Sequence, residues 1–318
     1  MLSLPDFQEK QIIIIESGEE KKMQFRNDNL LLCEEGKILN QVSCYKIFCI
    51  FVIGDISVTT VLIKKALSYG ISFIFMNKNF KTYAVIGAET EGNTLLRKRQ
   101  YGESCQLEMA KHIVINKIMN QLSLLKGIRK KSTQLKSAIV SIVELIDAVK
   151  TATDYRQILG YEGNVSKLFF ASYFADYAWH ARLPRTKYDP TNTLMDIGYT
   201  YLFNFIDALL RLYGFDTYLG FYHKEFYQRK SLVCDVVEPF RCIIDKKIRN
   251  AYSLGQVQEK DFSTKNRQYD LQYKEARKYT KLFVEAIMER KEDIFTYVQS
   301  FYRAVMKEDV KNLPLFTI

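Results

Sequence analysis

A chain of 318 residues that is 47% hydrophobic and 26% charged can bury one large core or two of moderate size, and its composition excludes a disordered or fibrous protein. The 46 Lys and Arg exceed the 36 Asp and Glu by enough to give a formal charge of +10, which makes a polyanion a fitting partner. The six cysteines (Cys33, Cys44, Cys49, Cys105, Cys234, Cys242) form no C-x-x-C pair, which argues against a disulfide scaffold or structural zinc and favours reduced cytosol.

The longest apolar run, residues 47–53, falls far short of the roughly 20 residues that cross a bilayer. The N-terminus lacks the basic start and long apolar core of a secretory signal, so a cytoplasmic protein with no membrane partner is expected. Between residues 11 and 87 the apolar runs are short and rich in β-branched side chains, at 12–15, 29–33, 47–53, 71–75 and 82–86, and these predict strands. Asn27-Asp28 and the segment 34–37 supply hairpin turn chemistry, so an antiparallel-rich sheet is expected. One helix over 58–69 interrupts it, with Gly54 and Ser57 as its start and Gly70 as its stop.

Beyond Thr90 apolar residues recur at three and four, which predicts helices over 106–125, 136–149, 165–179, 193–213 and 269–289. The clearest has Leu194, Ile197, Tyr201, Leu202, Phe205, Ala208, Leu209 and Leu212 on one stripe, Thr191 or Asn192 as N-cap and Gly214 beyond its end. The fold class is therefore α+β: a small N-terminal β-rich domain over residues 1–88, then a larger all-α catalytic domain over 89–318. No Pro/Gly/Ser-rich linker separates them, so the two are expected to pack closely.

No G-x-x-x-x-G-K-[ST] run is present, no G-x-G-x-x-G follows a strand, and no G-x-S-x-G elbow occurs, which removes the usual signatures of ATPases, dinucleotide enzymes and serine hydrolases. Of the three histidines, His112 lies in a helical run and His180 follows Trp179 at a helix end, so both read as packing or surface residues. His223 instead ends Gly220-Phe-Tyr-His223, in a connecting segment beyond the long helix. Asp235 and Glu238 follow, three apart and on one face if that stretch is helical, while Glu162 stands between Gly160 and Gly163 at an expected helix start. Carboxylates with a single imidazole suit Mg²⁺ or Mn²⁺, whereas zinc favours several His or Cys ligands. The plainer reading of the same residues is helix-terminal acids and a loop histidine.

The segments Leu159-Gly-Tyr-Glu-Gly-Asn164, Tyr188-Asp-Pro-Thr-Asn192, Gly198-Tyr199, Tyr218-Leu-Gly-Phe-Tyr-His223 and Ser231-Leu-Val-Cys-Asp-Val-Val-Glu-Pro-Phe-Arg241 together resemble the motif series of the CRISPR-associated integrase family, the larger protein of the spacer-acquisition module. Leu4-Pro-Asp-Phe7, Asn27-Asp-Asn29 and Phe51-Val-Ile-Gly54 resemble that family's β-domain, so the resemblance covers nearly the whole chain. It implies a metal-dependent DNA integrase and endonuclease that joins 3′-OH ends of short foreign fragments to CRISPR repeat DNA. Glu162, His223 and Glu238 match the family's metal ligands, for Mg²⁺ or Mn²⁺, and Asp235 matches a frequently acidic neighbour. The bulky segment 224–230 and Cys242, where the family often has proline, depart from the pattern.

The implied partners are double-stranded DNA, a second copy joined through the β-rich domain, and a small ferredoxin-like protein. Asn192, Arg241, Arg97 and Arg99 are candidate DNA contacts, and Arg129-Lys-Lys131, residues 182–187, Lys246-Lys247-Arg249 and Arg277-Lys278 are further basic clusters. Three rivals make different demands. A tyrosine recombinase would use Tyr199 or Tyr222 as nucleophile and need no metal. A non-catalytic scaffold would keep only the basic surface, and a general metal-dependent nuclease for branched DNA would use water in place of the 3′-hydroxyl.

Overall fold

The computed structural model describes residues 2–17, 21–88, 92–102, 106–177, 179–265 and 267–318; Cys105 lies outside them. A short helix α1 (Leu4–Gln8) leads into β1 (Gln11–Glu16), followed by β2 (Lys22–Arg26), β3 (Asn29–Glu34), β4 (Lys37–Ser43) and β5 (Ile47–Ile53). Then come α2 (Thr60–Ser68), β6 (Ser72–Met76) and β7 (Thr82–Ile86).

Among the described residues these strands form two sheets, one of order β1-β5-β6-β7 and one of order β2-β3-β4. The antiparallel-rich expectation holds for the second sheet, whose turns place Asn27 and Asp28 at φ 47° and 58° and Glu35 and Gly36 at φ 49° and 78°. It fails for the first, where β1, β5 and β6 run parallel and only β7 is antiparallel. The hairpin signals belong to the small sheet, which itself forms the crossover between β1 and β5, while α2 forms the crossover from β5 to β6. Every residue of β5 is buried, as befits a central strand covered on both faces. The α2 helix starts from Thr59, whose hydroxyl accepts from Leu62 N, rather than from Ser57.

The rest of the chain is mainly helical: α3 (Thr94–Tyr101), α4 (Gln106–Lys126), α5 (Thr133–Thr151), α6 (Tyr155–Tyr173), α7 (Pro190–Tyr213), α8 (Ser231–Val237) and α9 (Arg241–Ser253). A hairpin of β8 (Phe262–Lys265) and β9 (Gln268–Leu271) precedes α10 (Tyr273–Glu289) and α11 (Lys291–Lys307), so the all-α expectation is corrected by one short two-stranded sheet. No helix among the described residues is long and apolar enough to cross a membrane.

The cap of α7 is Asp189, with Pro190 at the first helical position, in place of the expected Thr191 or Asn192. One core joins the strand-rich and helical regions, because Phe48 and Phe51 of β5 meet Phe205 and Tyr201 of α7 at ring separations of 5.2 and 5.0 Å. Phe7 stacks on Phe295 of α11 at 4.4 Å and ties the chain's first helix to its last.

α7 can approach α9 and α10 closely because Gly198 carries no side chain. A Cβ there would lie 2.5 Å from Ile244 Cγ2 and 3.0 Å from the Phe283 ring. Gly198→Ala should therefore destabilise the fold by about 1–3 kcal/mol despite alanine's better helix propensity, which urea unfolding would read directly.

Candidate active site

Glu162 lies in the third turn of α6, not at a helix start, and its Oε1 accepts from Ser166 Oγ at 2.9 Å and from Lys117 Nζ of α4. Glu238 opens a single 3-10 turn between α8 and α9, buried with 4% exposure. Its Oε1 is 3.0 Å from Arg241 Nη2, and its Oε2 is 2.7 Å from Lys117 Nζ but has no aligned hydrogen bond among the described residues. Burial acts to protonate this carboxyl, but Arg241, Lys117 and His223 together outweigh it and hold its pKa at about 2. The two acids expected to share an ion thus meet on one ammonium.

His223 lies close enough to Glu238 to act on its carboxyl, and its ring is turned onto Asp235. Its Nδ1 is 2.7 Å from Asp235 Oδ1, and since a carboxylate only accepts, Nδ1 is the donor, which in the neutral tautomer leaves the lone pair on Nε2. Asp235 is fully buried and also accepts from the backbone N–H groups of Phe221, Tyr222 and His223 at 2.5, 2.9 and 2.8 Å. Four donors occupy its two oxygens, so it shapes the His223 loop from within α8. Gly220 makes that wrap feasible, because a Cβ there would sit 2.7 Å from Asp235 Oδ2 and 2.9 Å from His223 O.

Among the described residues no three His, Cys, Asp or Glu side chains stand at coordination spacing as the site is drawn. The donors nevertheless fit a hard cation: ionised oxygens, one imidazole nitrogen, and a buried carboxylate oxygen without an aligned donor. The Lys117 ammonium already places positive charge between the two acids.

Arg241, one third exposed, lies over the Tyr199 ring at 5.0 Å, and Arg182 lies 5.5 Å from the same ring. The Tyr199 hydroxyl donates to Asp245 Oδ1 at 2.5 Å. Burial raises the Asp245 pKa to about 7 against the opposing pull of Tyr199, Arg241, Arg182 and Lys117. A carboxyl raised in the folded state stabilises fully below its unfolded value and loses that contribution as pH rises through about 7. Asp245→Asn should therefore gain stability relative to the parent, on the order of 4 kcal/mol, as pH rises from about 4 to 7.5, measured by unfolding across a pH series.

The remaining candidates separate. Asn192 is fully buried, and its amide is spent on Arg182 Nη1, Leu183 N, Ala181 O and Asp189 Oδ2, so it presents no atom to DNA. Arg99 is paired with Glu308 at 2.5 Å, and Arg97 Nε donates to Gly214 O, so both tie α3 to other parts of the chain. His112 Nε2 lies 2.7 Å from Pro314 O, a packing role. The Tyr199 and Tyr222 phenols are both pushed far above their ordinary range, by burial first and then by neighbouring carboxylates, which speaks against a covalent tyrosine nucleophile.

Lys117 is the site residue that motif reading missed. Its signal was a polar stripe of Asn116, Lys117, Asn120 and Gln121, all buried, within a strongly apolar helix.

The sequence model described as CRISPR associated protein Cas1 matches residues 14–285. The chain belongs to the Cas1 family. It is 25% identical over 273 residues to a CRISPR-associated endonuclease Cas1 of Thermodesulfovibrio yellowstonii, covering 81% of this chain and 86% of that one. It is 32% identical over 188 residues to a CRISPR-associated endonuclease Cas1 of Leptospira interrogans, covering 54% and 74%.

Among solved structures, a Cas1 protein from Thermotoga maritima shares the fold with a TM-score of 0.80 at 16% identity, over 92% of this chain and 97% of that one. A casposase bound to integration product gives 0.76 at 19% identity, over 94% and 91%. A chain of a Cas6-RT-Cas1–Cas2 complex gives 0.82 at 20% identity over 97% of this chain, which spans only 36% of that longer one. These likenesses agree with a strand-rich N-terminal region followed by a helical C-terminal one.

Proposed function

We propose that this Cas1 family member is a divalent-metal-dependent DNA integrase and endonuclease that joins the 3′-hydroxyl ends of short foreign DNA fragments to CRISPR repeat DNA by transesterification. The observation that carries the reading is the convergence of Glu162 and Glu238 on one positive charge beside an oriented His223. Glu162, Glu238 and His223 Nε2 would hold Mg²⁺ or Mn²⁺. Such an ion, when bound, supplies Lewis acidity to the attacking hydroxyl and the scissile phosphate.

The protein's own groups do the rest. Glu238, held at about 2, is anionic throughout the working pH range and releases no proton to accept a cation. Asp235 fixes the tautomer and direction of His223. Arg241, partly exposed, has a buried Nε without a partner among the described residues and is braced on the Tyr199 face, which suits it to a DNA phosphate at the mouth of the site. One phosphodiester replaces another of similar energy, so no nucleotide cofactor is needed.

Solvent-exposed Arg129, Lys130, Lys131 and Lys246 add a basic surface without a base-reading module. DNA affinity should fall about a thousandfold or more between roughly 50 and 200 mM salt; a flat response in fluorescence anisotropy would reduce the charge excess to a solubility feature.

We also assign a homodimer through the strand-rich region, residues 1–88, whose edge strand β4 exposes Ile38 and Leu39, together with a small ferredoxin-like second protein. The Cas1–Cas2 assembly among the structural relatives supports a protein partner. A monomeric mass by light scattering at micromolar concentration contradicts the dimer.

The test of function is incubation of the purified protein with labelled short duplex and a supercoiled repeat-containing plasmid, with and without Mn²⁺. Metal-dependent transfer of label to the plasmid supports integration. The endonuclease names of the curated relatives favour water as a second nucleophile, so cleavage without joining would make the chain a general nuclease for branched DNA.

A further inference from the structure

Helix α4 carries its buried polar stripe for two different purposes. Asn116 and Asn120 bind the backbone of the C-terminal segment, through Phe316 O, Phe316 N and Ile318 N, at 2.8 to 3.0 Å. Lys117 faces only charge. Its ammonium contacts Glu162 Oε1 and lies 2.7 Å from Glu238 Oε2, and its side chain is 10% exposed.

Burying an ammonium is costly unless anions compensate it, and a buried carboxylate beside a partly buried one is likewise costly without a cation between them. A divalent ion taken up by the same two carboxylates needs the same point in space.

On the metal reading given above, we propose that Lys117 is a tethered counter-ion that competes with the divalent metal for Glu162 and Glu238, so that metal enters only by displacing it. On the Glu238 side the ammonium lies 2.7 Å from Oε2, the oxygen that a metal would have to take over.

Charge balance points the same way. Lys117 and Arg241 already neutralise the two acids, so a divalent ion added to the site brings an excess of positive charge into a largely buried space. That excess is met when an anionic DNA phosphodiester arrives. Metal binding by the free protein is therefore weak. A lysine that merely held the two acids in place for the metal would act in the opposite sense, since its loss would weaken metal binding.

The test uses the full chain and Mn²⁺ alone, titrated by calorimetry or by the electron paramagnetic resonance of free Mn²⁺, in the parent, Lys117→Met and Glu238→Gln. Competition predicts that Lys117→Met binds Mn²⁺ about tenfold more tightly or better, because the competing ammonium no longer keeps the binding-competent state to a small fraction. Glu238→Gln should lose the site. Lys117→Gln keeps an N–H donor toward Glu162 and serves in place of the methionine variant if that protein does not fold; it too should bind more tightly.

Equal or weaker binding on loss of the ammonium, at a site that still depends on Glu238, overturns the competition and leaves the metal centre standing. Mn²⁺ binding indifferent to Glu238→Gln removes the metal centre, and with it this inference.

Discussion

Glu238→Gln should lower metal-dependent strand joining by about three orders of magnitude or more, while DNA affinity changes little. The substitution keeps the shape of the side chain but removes the anion that Arg241, Lys117 and His223 hold in place. A neutral amide is a poor ligand for a hard cation, and phosphate contacts elsewhere on the basic surface are untouched. His223→Ala and Glu162→Gln should act alike, since residues working as one unit lose most of their effect together. Single-turnover joining assays beside anisotropy titrations separate the two quantities. Equal losses in binding and joining would mean that Glu238 is a DNA contact or a fold residue instead.

Asp235→Asn should be damaging through a different route. Both carboxylate oxygens of Asp235 accept two donors each, from Phe221, Tyr222 and His223 backbone groups and the His223 ring. An asparagine turns one of those acceptors into an NH₂ that faces two N–H groups, leaving buried donors unpaired at a total of about 3–5 kcal/mol. In a chain of this size that is a fall in Tm of roughly 5–10 °C. The surviving folded protein should also join strands about 10–100-fold more slowly, because His223 loses the partner that fixes its tautomer and direction. Calorimetry and assays below the lowered Tm distinguish the two effects. Unchanged stability would refute the role assigned to Asp235.

The pH behaviour of the two buried acids differs in sign. Glu238, held at about 2, contributes stability above its ordinary value that is lost only as pH falls toward 2, whereas the Asp245 contribution disappears as pH rises to about 7.

The strands and long helices were legible because their periods of apolar residues are driven by burial, and burial decides both pattern and structure in β5 and α7. The direction of the strands was not, since a turn signal says that a hairpin exists but not which sheet it belongs to. The β8–β9 hairpin was hidden for another reason: its residues are mostly polar and partly exposed, and their spacing ran into the helix that follows. α9 was obscured by Asp245, Lys246 and Lys247, three charged residues set among the buried Cys242, Ile243, Ile244 and Ile248. α11, by contrast, shows Ile294, Phe295, Val298, Phe301 and Val305 at clear helical spacing and was open to the same reading as α7.

At the proposed site, motif order picks out Glu162, His223, Asp235 and Glu238, but motifs name candidate ligands and not the groups that balance them. Lys117 comes from a helix with no motif, 45 residues before Glu162, and only its burial among carboxylates shows its part. Among the DNA-contact candidates, the polarity of Asn192 is plain in the sequence, but the partners that occupy its amide within the fold are not.

The most direct test of the metal centre is the anomalous scattering of Mn²⁺ in crystals of the protein grown with the ion. The account predicts one strong peak within coordination reach of the Glu162 and Glu238 carboxylates and of His223 Nε2, with Asp235 bound to the far side of the imidazole and not to the ion. A peak held by other groups, or no peak between Glu162 and Glu238 at saturating Mn²⁺, would contradict it.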